Sequence, residues 1–254
     1  MSEQSKSSAA DEGFRPIGQR RTADEVLLAP RPARERQAFT RTDPWRALRI
    51  LGEFVEGFDS LSDVDTAVAI FGSARLKPDD PWYARAVETA RRFGEANFAV
   101  ITGGGPGIME AANRGATEAK TLSIGLNIEL PHEQHSNPYL SRGINFRYFF
   151  VRKTMFIKYS RAYIFFPGGF GTLDEMFEAL TLIQTERIKN FPVVLMGRDF
   201  WRGLLEWLKD TLARERMISP NDLNLFHVTD DPEEAVHVVV EGVGRHLLEE
   251  RSNG

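Results

Sequence analysis

Short apolar runs alternate with longer amphipathic stretches along most of the chain. Runs such as AVAIF and AYIFF are apolar from end to end, which is typical of strands that are buried on both faces of a parallel sheet. The stretches between them carry apolar residues at helical spacing. The pattern predicts strands at 67–71, 98–102, 122–130, 163–166 and 192–196, with a weaker strand near 227–229. It predicts helices near 81–96, 107–119, 152–159, 172–184, 201–214 and 232–249.

The order of strands and helices determines the predicted fold class. Repeated strand–helix units favour an α/β fold, here a Rossmann-like doubly wound parallel sheet with helices on both faces. An extra N-terminal helix is expected before the first strand, because Asp43 and Pro44 form a good helix start. The apolar residues that follow at helical spacing are Trp45, Leu48, Leu51, Phe54, Val55 and Phe58. We therefore expect a single Rossmann-like domain over residues 43–250.

Residues 1–42 differ in composition from the rest of the chain. They are rich in Ser, Pro and charged residues, and Phe14 and Phe39 are their only aromatic side chains. Such a segment cannot bury enough apolar surface to offset the entropy that it loses on ordering. We therefore expect a disordered or loosely attached N-terminal tail. Its basic stretch at residues 31–36 is interpreted as solvated rather than as a partner-binding arm.

Composition and charge narrow the class of protein. The 254 residues include 32 Lys and Arg against 36 Asp and Glu, a net charge of −4, which argues against binding to a nucleic acid polymer or an anionic membrane. The chain contains no Cys, which excludes disulfides, thiolate metal sites and cysteine nucleophiles. No secretory signal is evident, and no apolar run approaches the roughly 20 residues of a membrane span. These features predict a soluble, cytoplasmic protein.

The first of two glycine-rich turns follows the predicted strand 98–102. It reads TGGGPGIME, so that four glycines lie just before a predicted helix. Glycines let a ligand approach the backbone closely, and a helix N-terminus favours an anion, which together indicate a phosphate site. The turn is not a P-loop, because no Lys-Ser/Thr pair follows it, and Ile108 occupies the third glycine position of a dinucleotide fingerprint. An ordinary tight turn is the alternative.

The second glycine-rich turn reads PGGFGTLDE and follows the predicted strand 163–166. Thr172, with Glu175 three residues later, fits a capping box, so one interpretation is a helix cap and nothing more. A cap, however, does not require the Pro-Gly-Gly-Phe-Gly that precedes it. Because ligands of open parallel sheets bind beyond the carboxyl ends of the strands, the two turns predict one crevice that holds a nucleotide-sized anion.

The two turns together resemble the paired signatures of the LOG family, the cytokinin riboside 5′-monophosphate phosphoribohydrolases, which are often mislabelled as lysine decarboxylases. The matching segments are GGGPGIMEAANRGA and PGGFGTLDE, and the similarity extends over residues 67–197, including FGSAR after the first strand. The extra N-terminal helix and the C-terminal extension resemble the longer bacterial form. Lysine decarboxylation is disfavoured, because no typical lysine context for pyridoxal phosphate is present.

The resemblance implies hydrolysis of the N-glycosidic bond of a nucleoside 5′-monophosphate, an N6-modified purine nucleotide in the cytokinin-activating type, to free base and ribose 5-phosphate. It implies catalytic roles for Arg152 and Glu175, no cofactor or metal, and a homodimer or larger homo-oligomer. Substrate-binding roles are implied for Ser73, Gly104, Gly105, Gly107, Met109, Lys153, Gly168, Gly169, Gly171 and Thr172. Val151 departs from the family pattern, in which a Glu commonly precedes the Arg-Lys pair.

The residue types suit this chemistry. Departure of the base leaves positive charge at the anomeric carbon, which the carboxylate of Glu175 can stabilise while it orients or deprotonates a water molecule. Arg152 offers a planar cationic fork for phosphate or hydroxyl oxygens. Glu178, one helical turn beyond Glu175, is a candidate second carboxylate, and a solvated or salt-bridged helix residue is the alternative.

Other functions are retained as alternatives. A general nucleotide 5′-monophosphate nucleosidase would use the same residues, whereas a non-catalytic nucleotide or molybdenum-cofactor carrier would need the glycine turns but not the carboxylate. His132 and His135 form no convincing metal pair, because a third ligand is not evident. Their loop, residues 131–142, is a candidate substrate lid. The aromatic run at 146–150 and the apolar helix face at 201–208 are interpreted as core or subunit interface.

Overall fold

Helices and strands alternate along residues 22–28, 43–130 and 136–253, the ranges that the computed structural model describes, with side chains up to residue 244. The helices are α1 (Ala23–Leu28), α2 (Asp43–Ser60), α3 (Pro81–Glu95), α4 (Ile108–Glu118), α5 (Phe149–Tyr159), α6 (Phe170–Gln184), α7 (Arg198–Trp207) and α8 (Pro232–Asn253). The strands are β1 (Ala67–Phe71), β2 (Ala99–Thr102), β3 (Ser123–Ile128), β4 (Arg142–Phe146), β5 (Ala162–Phe165), β6 (Val193–Met196) and β7 (His227–Thr229). Within these ranges, no helix combines the length and the apolar character that a membrane crossing needs.

The strands form one sheet in the order β4-β3-β2-β1-β5-β6-β7, and each pair of neighbours is parallel. The chain builds the sheet outward from β1 to β4, then crosses to the other side of β1 and builds outward again from β5 to β7. The strand order therefore reverses between β1 and β5. This is the doubly wound arrangement, and the predicted α/β Rossmann-like fold is confirmed.

Helices cover both faces of the sheet and divide the core into two layers. Ala67, Ala69 and Phe71 of β1 face α2, α5, α6 and α7, whereas Val68 and Ile70 face α3, α4 and α8. Every residue of β1 is buried, because a central strand of a parallel sheet has no solvent-facing side. This explains why its sequence is apolar throughout.

Strand β4 is not predicted by the sequence pattern. It lies at the edge of the sheet, pairs with β3, and mixes buried with exposed positions, so it lacks the continuous apolar run of the central strands. The candidate lid at residues 131–142 ends one residue earlier than expected, because Arg142 begins this strand. Residues 131–135, which include His132 and His135, lie outside the described residues.

Helix α2 forms where it is expected but docks through a narrower face. Ile50 and Phe54 pack against the core, and Gly57 lies so close to Met155 that a Cβ there would approach the Met155 sulfur to 2.9 Å. The predicted docking residues that are instead exposed are Leu48, Leu51, Val55 and Phe58. The residues that were expected to dock lie on two faces of the helix, and the structure buries the face that contains Phe54.

The two apolar segments interpreted as core or interface are each partly in the core. Their buried members are Phe146, Tyr148, Trp201 and Leu208, and their members with 41–49% exposure are Phe149, Phe150 and Trp207. After α7 the chain continues as a π-helical turn, Leu208–Ala213. In both segments some aromatic side chains are buried and others reach the surface.

Part of the predicted N-terminal tail is described as structure. Residues 22–28 contain α1, and its Ala23 and Leu27 pack against the core layer that also holds α5. The remainder of residues 1–42 lies outside the described residues. A short piece of the predicted tail therefore contacts the folded domain.

Candidate functional site

A cavity of about 670 Å³ opens where the strand order reverses, beyond the carboxyl ends of β1, β2 and β5. Connections leave neighbouring strands in opposite directions at such a point, which opens a crevice where ligands of doubly wound sheets bind. The wall is formed by Phe71, Gly72, Ser73, Ala74, Arg75, Gly103, Met109, Ile128, Leu130, Phe149, Arg152, Phe156, Gly169, Phe170, Gly171, Thr172, Leu173 and Glu175.

The cavity brings together about half of the candidate site residues. Those that line it are Ser73, Met109, Arg152, Gly169, Gly171, Thr172 and Glu175. Those that do not line it are Gly104, Gly105, Gly107, Gly168, Lys153 and Glu178. Both proposed catalytic residues are in the first group, and three glycines of the first turn are in the second.

The first glycine-rich turn packs against other parts of the backbone rather than presenting all of its glycines to the cavity. Gly104 and Gly107 have φ values of +73° and +70°, a region that glycine adopts without strain. A Cβ on Gly104 would overlap the side-chain oxygen of Asn127, and one on Gly107 would overlap the carbonyl oxygen of Ser73. These glycines therefore close the turn, and Gly103 is the glycine of the turn that lines the cavity.

The close packing of Gly107 predicts that Gly107→Ala lowers the free energy of unfolding by about 2 kcal/mol, because the variant strains the backbone and displaces the Ser73 segment. Gly203→Ala is the matched control. Gly203 lies within α7, and the position of its Cβ is open, so Ala is expected to stabilise the protein by up to about 1 kcal/mol. Urea unfolding followed by circular dichroism measures both. If Gly107→Ala were as stable as the wild type, the close contact between residue 107 and Ser73 would be contradicted.

The second glycine-rich turn opens α6 directly onto the cavity. The helix begins at Phe170, with Gly169 as its N-cap and no side-chain cap, so the predicted capping box of Thr172 and Glu175 is wrong. Thr172 instead lies inside the first turn and is buried, and a Cβ on Gly168 would overlap its hydroxyl. The turn therefore folds Thr172 inward and leaves the first backbone amides of α6 without a side-chain acceptor.

Arg152 lies against two aromatic rings in the cavity wall. Its Cζ atom is 4.9 Å from the centre of the Phe149 ring and 5.8 Å from that of Phe156, distances at which a cation and a ring attract each other. Burial lowers the pKa of the guanidinium, and nearby carboxylates, chiefly Glu175, raise it. Its Nε atom is buried and has no hydrogen-bond partner within the described residues. That donor is therefore unpaired within the described wall of the cavity.

Glu175 is a buried carboxyl group, 4% exposed, on the inner face of α6. Burial raises its pKa from 4.5 to about 7; Lys153 and Arg152 oppose this shift, and Glu178 and Asp174 add to it. Its Oε2 atom has no hydrogen-bond partner in the described part of the chain. A carboxyl group with a pKa near 7 can gain or lose a proton at neutral pH, as general acid–base chemistry requires.

Lys153 and Glu178 form an ion pair with each other, and neither residue lines the cavity. The Nζ atom of Lys153 lies 3.0 Å from Oδ2 of Asp174 and 2.8 Å from Oε2 of Glu178. This geometry agrees with the salt-bridged alternative for Glu178 rather than with a second catalytic carboxylate. The pair joins α5 to α6, the two helices that carry Arg152 and Glu175.

The raised pKa of Glu175 predicts that the folded protein loses stability as pH rises. The native carboxyl binds its proton more tightly than the unfolded one, so its contribution is fully present below pH 4.5 and is lost between pH 4.5 and about 7. Above that window the loss is on the order of 3 kcal/mol. Because Gln cannot ionise, Glu175→Gln is expected to be more stable than the wild type at pH 8 and to differ little from it at pH 4. Urea unfolding at the two pH values measures this, and an equal difference at both would contradict it.

The aromatic side of the cavity is not predicted by the sequence analysis. Phe71 and Phe156 line it with ring centres 4.9 Å apart, Phe149 completes the wall, and Arg75 adds a cation at the same cavity. A signal for two of these residues is present in the sequence. Phe149 and Phe156 lie three residues before and four residues after Arg152, a spacing that places them on the same face of a helix.

No histidine that the structure describes lines the cavity. Within the described ranges, no cluster of three or more His, Cys, Asp or Glu side chains has the arrangement of a metal site. His227 and His237 each contact a carboxylate of α8, at 2.7 Å and 3.2 Å, in agreement with structural or exposed roles. His132, His135 and the side chain of His246 lie outside the described residues.

Known proteins share this sequence pattern at modest identity. The "Probable cytokinin riboside 5'-monophosphate phosphoribohydrolase LOG4" of Oryza sativa subsp. japonica is 26% identical over 177 residues, which cover 68% of this chain and 76% of that protein. The "Pyrimidine/purine nucleotide 5'-monophosphate nucleosidase" of Escherichia coli strain K12 is 26% identical over 167 residues, which cover 60% of this chain. The match spans only 36% of that longer protein.

The fold and the family are shown by two further comparisons. The molybdenum cofactor carrier protein of Chlamydomonas reinhardtii superimposes with a TM-score of 0.53 and 21% identity, over 71% of this chain and 99% of that chain, which shows a shared fold. The family model described as "Possible lysine decarboxylase" matches residues 109–239. Since this match covers more than half of the chain and includes Arg152 and the whole second glycine-rich turn, the chain belongs to the LOG-type family that carries this description.

Proposed function

We propose that this chain hydrolyses the N-glycosidic bond of a nucleoside 5′-monophosphate, releasing the free base and ribose 5-phosphate. The observation that carries the proposal is a single cavity that joins the N-terminus of α6, the guanidinium of Arg152 and the buried carboxyl of Glu175. A phosphate can bind there at the N-terminus of α6 and near Arg152, and Glu175 supplies a carboxyl group that can exchange a proton at neutral pH. The names of the rice and E. coli relatives support the same class of reaction.

The phosphate is assigned to the start of α6. Helix geometry leaves the amides of Phe170, Gly171 and Thr172 without an acceptor inside the helix, and the helix dipole favours an anion at this end. Gly169 and Gly171 line the cavity, and each has open space where a Cβ would be. A phosphate can therefore approach this backbone closely, with the guanidinium of Arg152 in the same cavity wall supplying positive charge.

In the proposed reaction the bond between C1′ and the base nitrogen breaks, and the oxygen of water bonds to C1′. The Glu175 carboxylate stabilises the positive charge that develops on the sugar and takes a proton from the attacking water. The departing base gains one proton, so that base and ribose 5-phosphate leave as complete molecules. A carboxyl with a pKa of about 7 can accept and return that proton in each cycle.

The apolar part of the cavity is assigned to the base. Met109, Ile128, Leu130 and Phe156 contribute hydrocarbon and aromatic surface, which suits a flat purine and an apolar substituent on its N6 atom. We therefore propose an N6-modified purine nucleotide as the preferred substrate, with a cytokinin as the released base. General cleavage of nucleoside monophosphates, as in the name of the E. coli relative, is the second candidate.

A substrate panel tests the proposal. The protein is incubated with AMP, N6-modified AMP, GMP, CMP and UMP at equal concentration, and free base is measured by chromatography. Release from N6-modified AMP in preference to the others supports the cytokinin-type activity, and similar release from all of them supports the general nucleosidase. Absence of release from every monophosphate would contradict the enzymatic proposal, and tight binding without release would favour a carrier.

The oligomeric state of the protein and its location in the cell are predictions. We propose a homodimer or larger homo-oligomer and a cytoplasmic location, both on the resemblance and composition described above. Size-exclusion chromatography with light scattering measures the mass in solution, and a mass near the 28.7 kDa of one chain would contradict self-association.

A further inference from the structure

Helix α5, which carries Arg152, depends on other parts of the chain for hydrogen-bond acceptors at its N-terminus. It begins at Phe149, its N-cap residue Tyr148 provides no side-chain acceptor, and its first turn contains no acidic residue. The first amides of a helix lack acceptors inside the helix. An acceptor from elsewhere is therefore needed to hold this end of α5 in place.

Two carboxylates from distant segments supply these acceptors. Oδ2 of Asp24, in α1, accepts a hydrogen bond from the Phe149 amide at 3.1 Å. Glu53, in α2, accepts bonds from the amides of Arg147 and Tyr148 at 3.2 to 3.3 Å. Both carboxylates precede residues 109–239, the part of the chain that the family model matches. They are therefore features of this chain that the family match does not account for.

Asp24 is held in place by packing as well as by its hydrogen bond. Ala23 and Leu27, on either side of it in α1, pack against the core layer that includes α5. The carboxylate is close enough for its charge to act on the Arg152 guanidinium, and the Phe149 amide and Arg152 both lower its pKa against the larger effect of burial, which raises it. A short segment from far upstream thus reaches the helix that bears a proposed catalytic residue.

Phe149 connects Asp24 to the cavity. Its amide donates to Asp24, its ring lines the cavity, and the same ring lies 4.9 Å from the Cζ atom of Arg152. We propose that Asp24 is a positioning residue. By accepting the hydrogen bond of the Phe149 amide, it holds the first turn of α5 in place, and with it the guanidinium of Arg152 in the geometry that binds the nucleotide. This inference rests on the proposed function, because it requires Arg152 to contact the nucleotide.

The first test measures nucleotide affinity in the full chain. AMP is titrated calorimetrically into Glu175→Gln protein, alone and combined with Asp24→Ala or Asp24→Asn. Loss of the acceptor in Asp24→Ala lets the first turn of α5 fray, and the dissociation constant is expected to rise by up to about fivefold, the limit that a typical lost cap sets through the competent fraction. Asn retains an oxygen that accepts the amide bond, so Asp24→Asn is expected to bind nearly as tightly as its parent.

Glu25→Gln is the matched control for this test. Glu25 is the neighbouring acidic residue of α1 and is exposed, so the substitution makes the same change of charge one residue away, and the affinity is expected to stay at that of the parent. Equal affinity of Asp24→Ala and its parent would overturn the inference. Equal weakening by Asp24→Asn and Asp24→Ala would also overturn it, because charge and not the amide bond would then be responsible.

The second test does not depend on any substrate. Hydrogen exchange is followed at the amides of residues 149–152 without nucleotide, in the wild type and in Asp24→Ala. Exchange about fivefold faster in the variant, with unchanged exchange in α3, is expected if Asp24 holds this turn. Unchanged exchange at residues 149–152 would overturn the inference. Failure of the Glu175→Gln parent to bind AMP would count against the proposed function, and the exchange result would then decide the role of Asp24 by itself.

Discussion

Glu175→Gln is expected to lose about three orders of magnitude of turnover on the best monophosphate while still binding it. Acid–base catalysis by one positioned group typically contributes 10²- to 10⁴-fold, and Gln can neither carry the negative charge nor exchange the proton. The side chain keeps its size in a site that is 4% exposed, so the cavity is expected to keep its shape. Base release measures turnover, and calorimetry with AMP measures binding.

Asp174→Asn is the control for this variant. Asp174 precedes Glu175 on the same helix, is 59% exposed and pairs with Lys153, and it does not line the cavity. Its turnover is expected to stay within about threefold of the wild type, since Lys153 keeps its contact with Glu178 and an ion pair with an exposed partner contributes little. A fully active Glu175→Gln would remove Glu175 from the mechanism. Equal losses in both variants would show that the charge of the helix matters and not the buried carboxyl.

Arg152→Ala is expected to lower kcat/KM about 100-fold, mainly by weakening nucleotide binding. Removing one partner of a buried, charge-assisted contact costs several kcal/mol, and the guanidinium is the buried cation of the cavity wall. Arg152→Lys is expected to recover only a small part of the loss, because an ammonium group cannot reproduce the planar fork or its stacking on Phe149 and Phe156. Steady-state kinetics and AMP titration measure both variants.

Lys158→Ala is the control for the loss of a cation from the same helix. Lys158 is exposed near the end of α5, where its Nζ atom lies 5.4 Å from the Phe58 ring, and it does not line the cavity. We expect near wild-type kcat/KM for this variant. Arg152→Ala with unchanged affinity for AMP would contradict the assignment of Arg152 to the nucleotide.

The central strands could be predicted from the sequence because burial on both faces leaves a simple pattern. β1 matches its predicted bounds, and β2, β3, β5 and β6 match within one or two residues at each end. β7, an edge strand, also matches, although its pattern is weaker. The other edge strand, β4, could not be found in this way, since its sequence, RGINF, alternates in burial and contains Gly and Asn. Edge strands satisfy half of their backbone groups elsewhere, so their side chains carry less of the pattern.

The start of α6 shows how a functional turn can mislead a prediction that is otherwise sound. Side-chain capping rules place the helix start at Thr172, because a hydroxyl three residues before a Glu is a good cap. The helix instead begins at Phe170 with a glycine cap. A side chain that capped these amides would occupy the groups that the proposed phosphate needs, so the local rule fails at the position where ligand binding replaces it.

Asp24 shows the opposite limit, in which composition gives no information about contacts between distant segments. The polar N-terminal segment predicts weak attachment, and nothing in the six residues of α1 indicates that one carboxylate meets an amide 125 residues away. The match between Asp24 and Phe149 exists only after the sheet has brought α5 to that side of the core. Such contacts depend on tertiary geometry and leave no periodic signal.

The reversal of strand order at β1 also determines when the site can form during synthesis. Val68 pairs with Ala162, about 90 residues later, so β1 leaves the ribosome on the order of 5 to 20 s before its second neighbour at typical elongation rates. In that interval β1 can pair with β2 alone, and the apolar edge that will receive β5 is open. The cavity lies at this seam, so a ribosome-bound chain that stops before β5 has the first glycine-rich turn but no pocket. A nucleotide bound as proposed would thus stabilise the finished domain and not the nascent chain, whose apolar edge stays open until β5 pairs with β1.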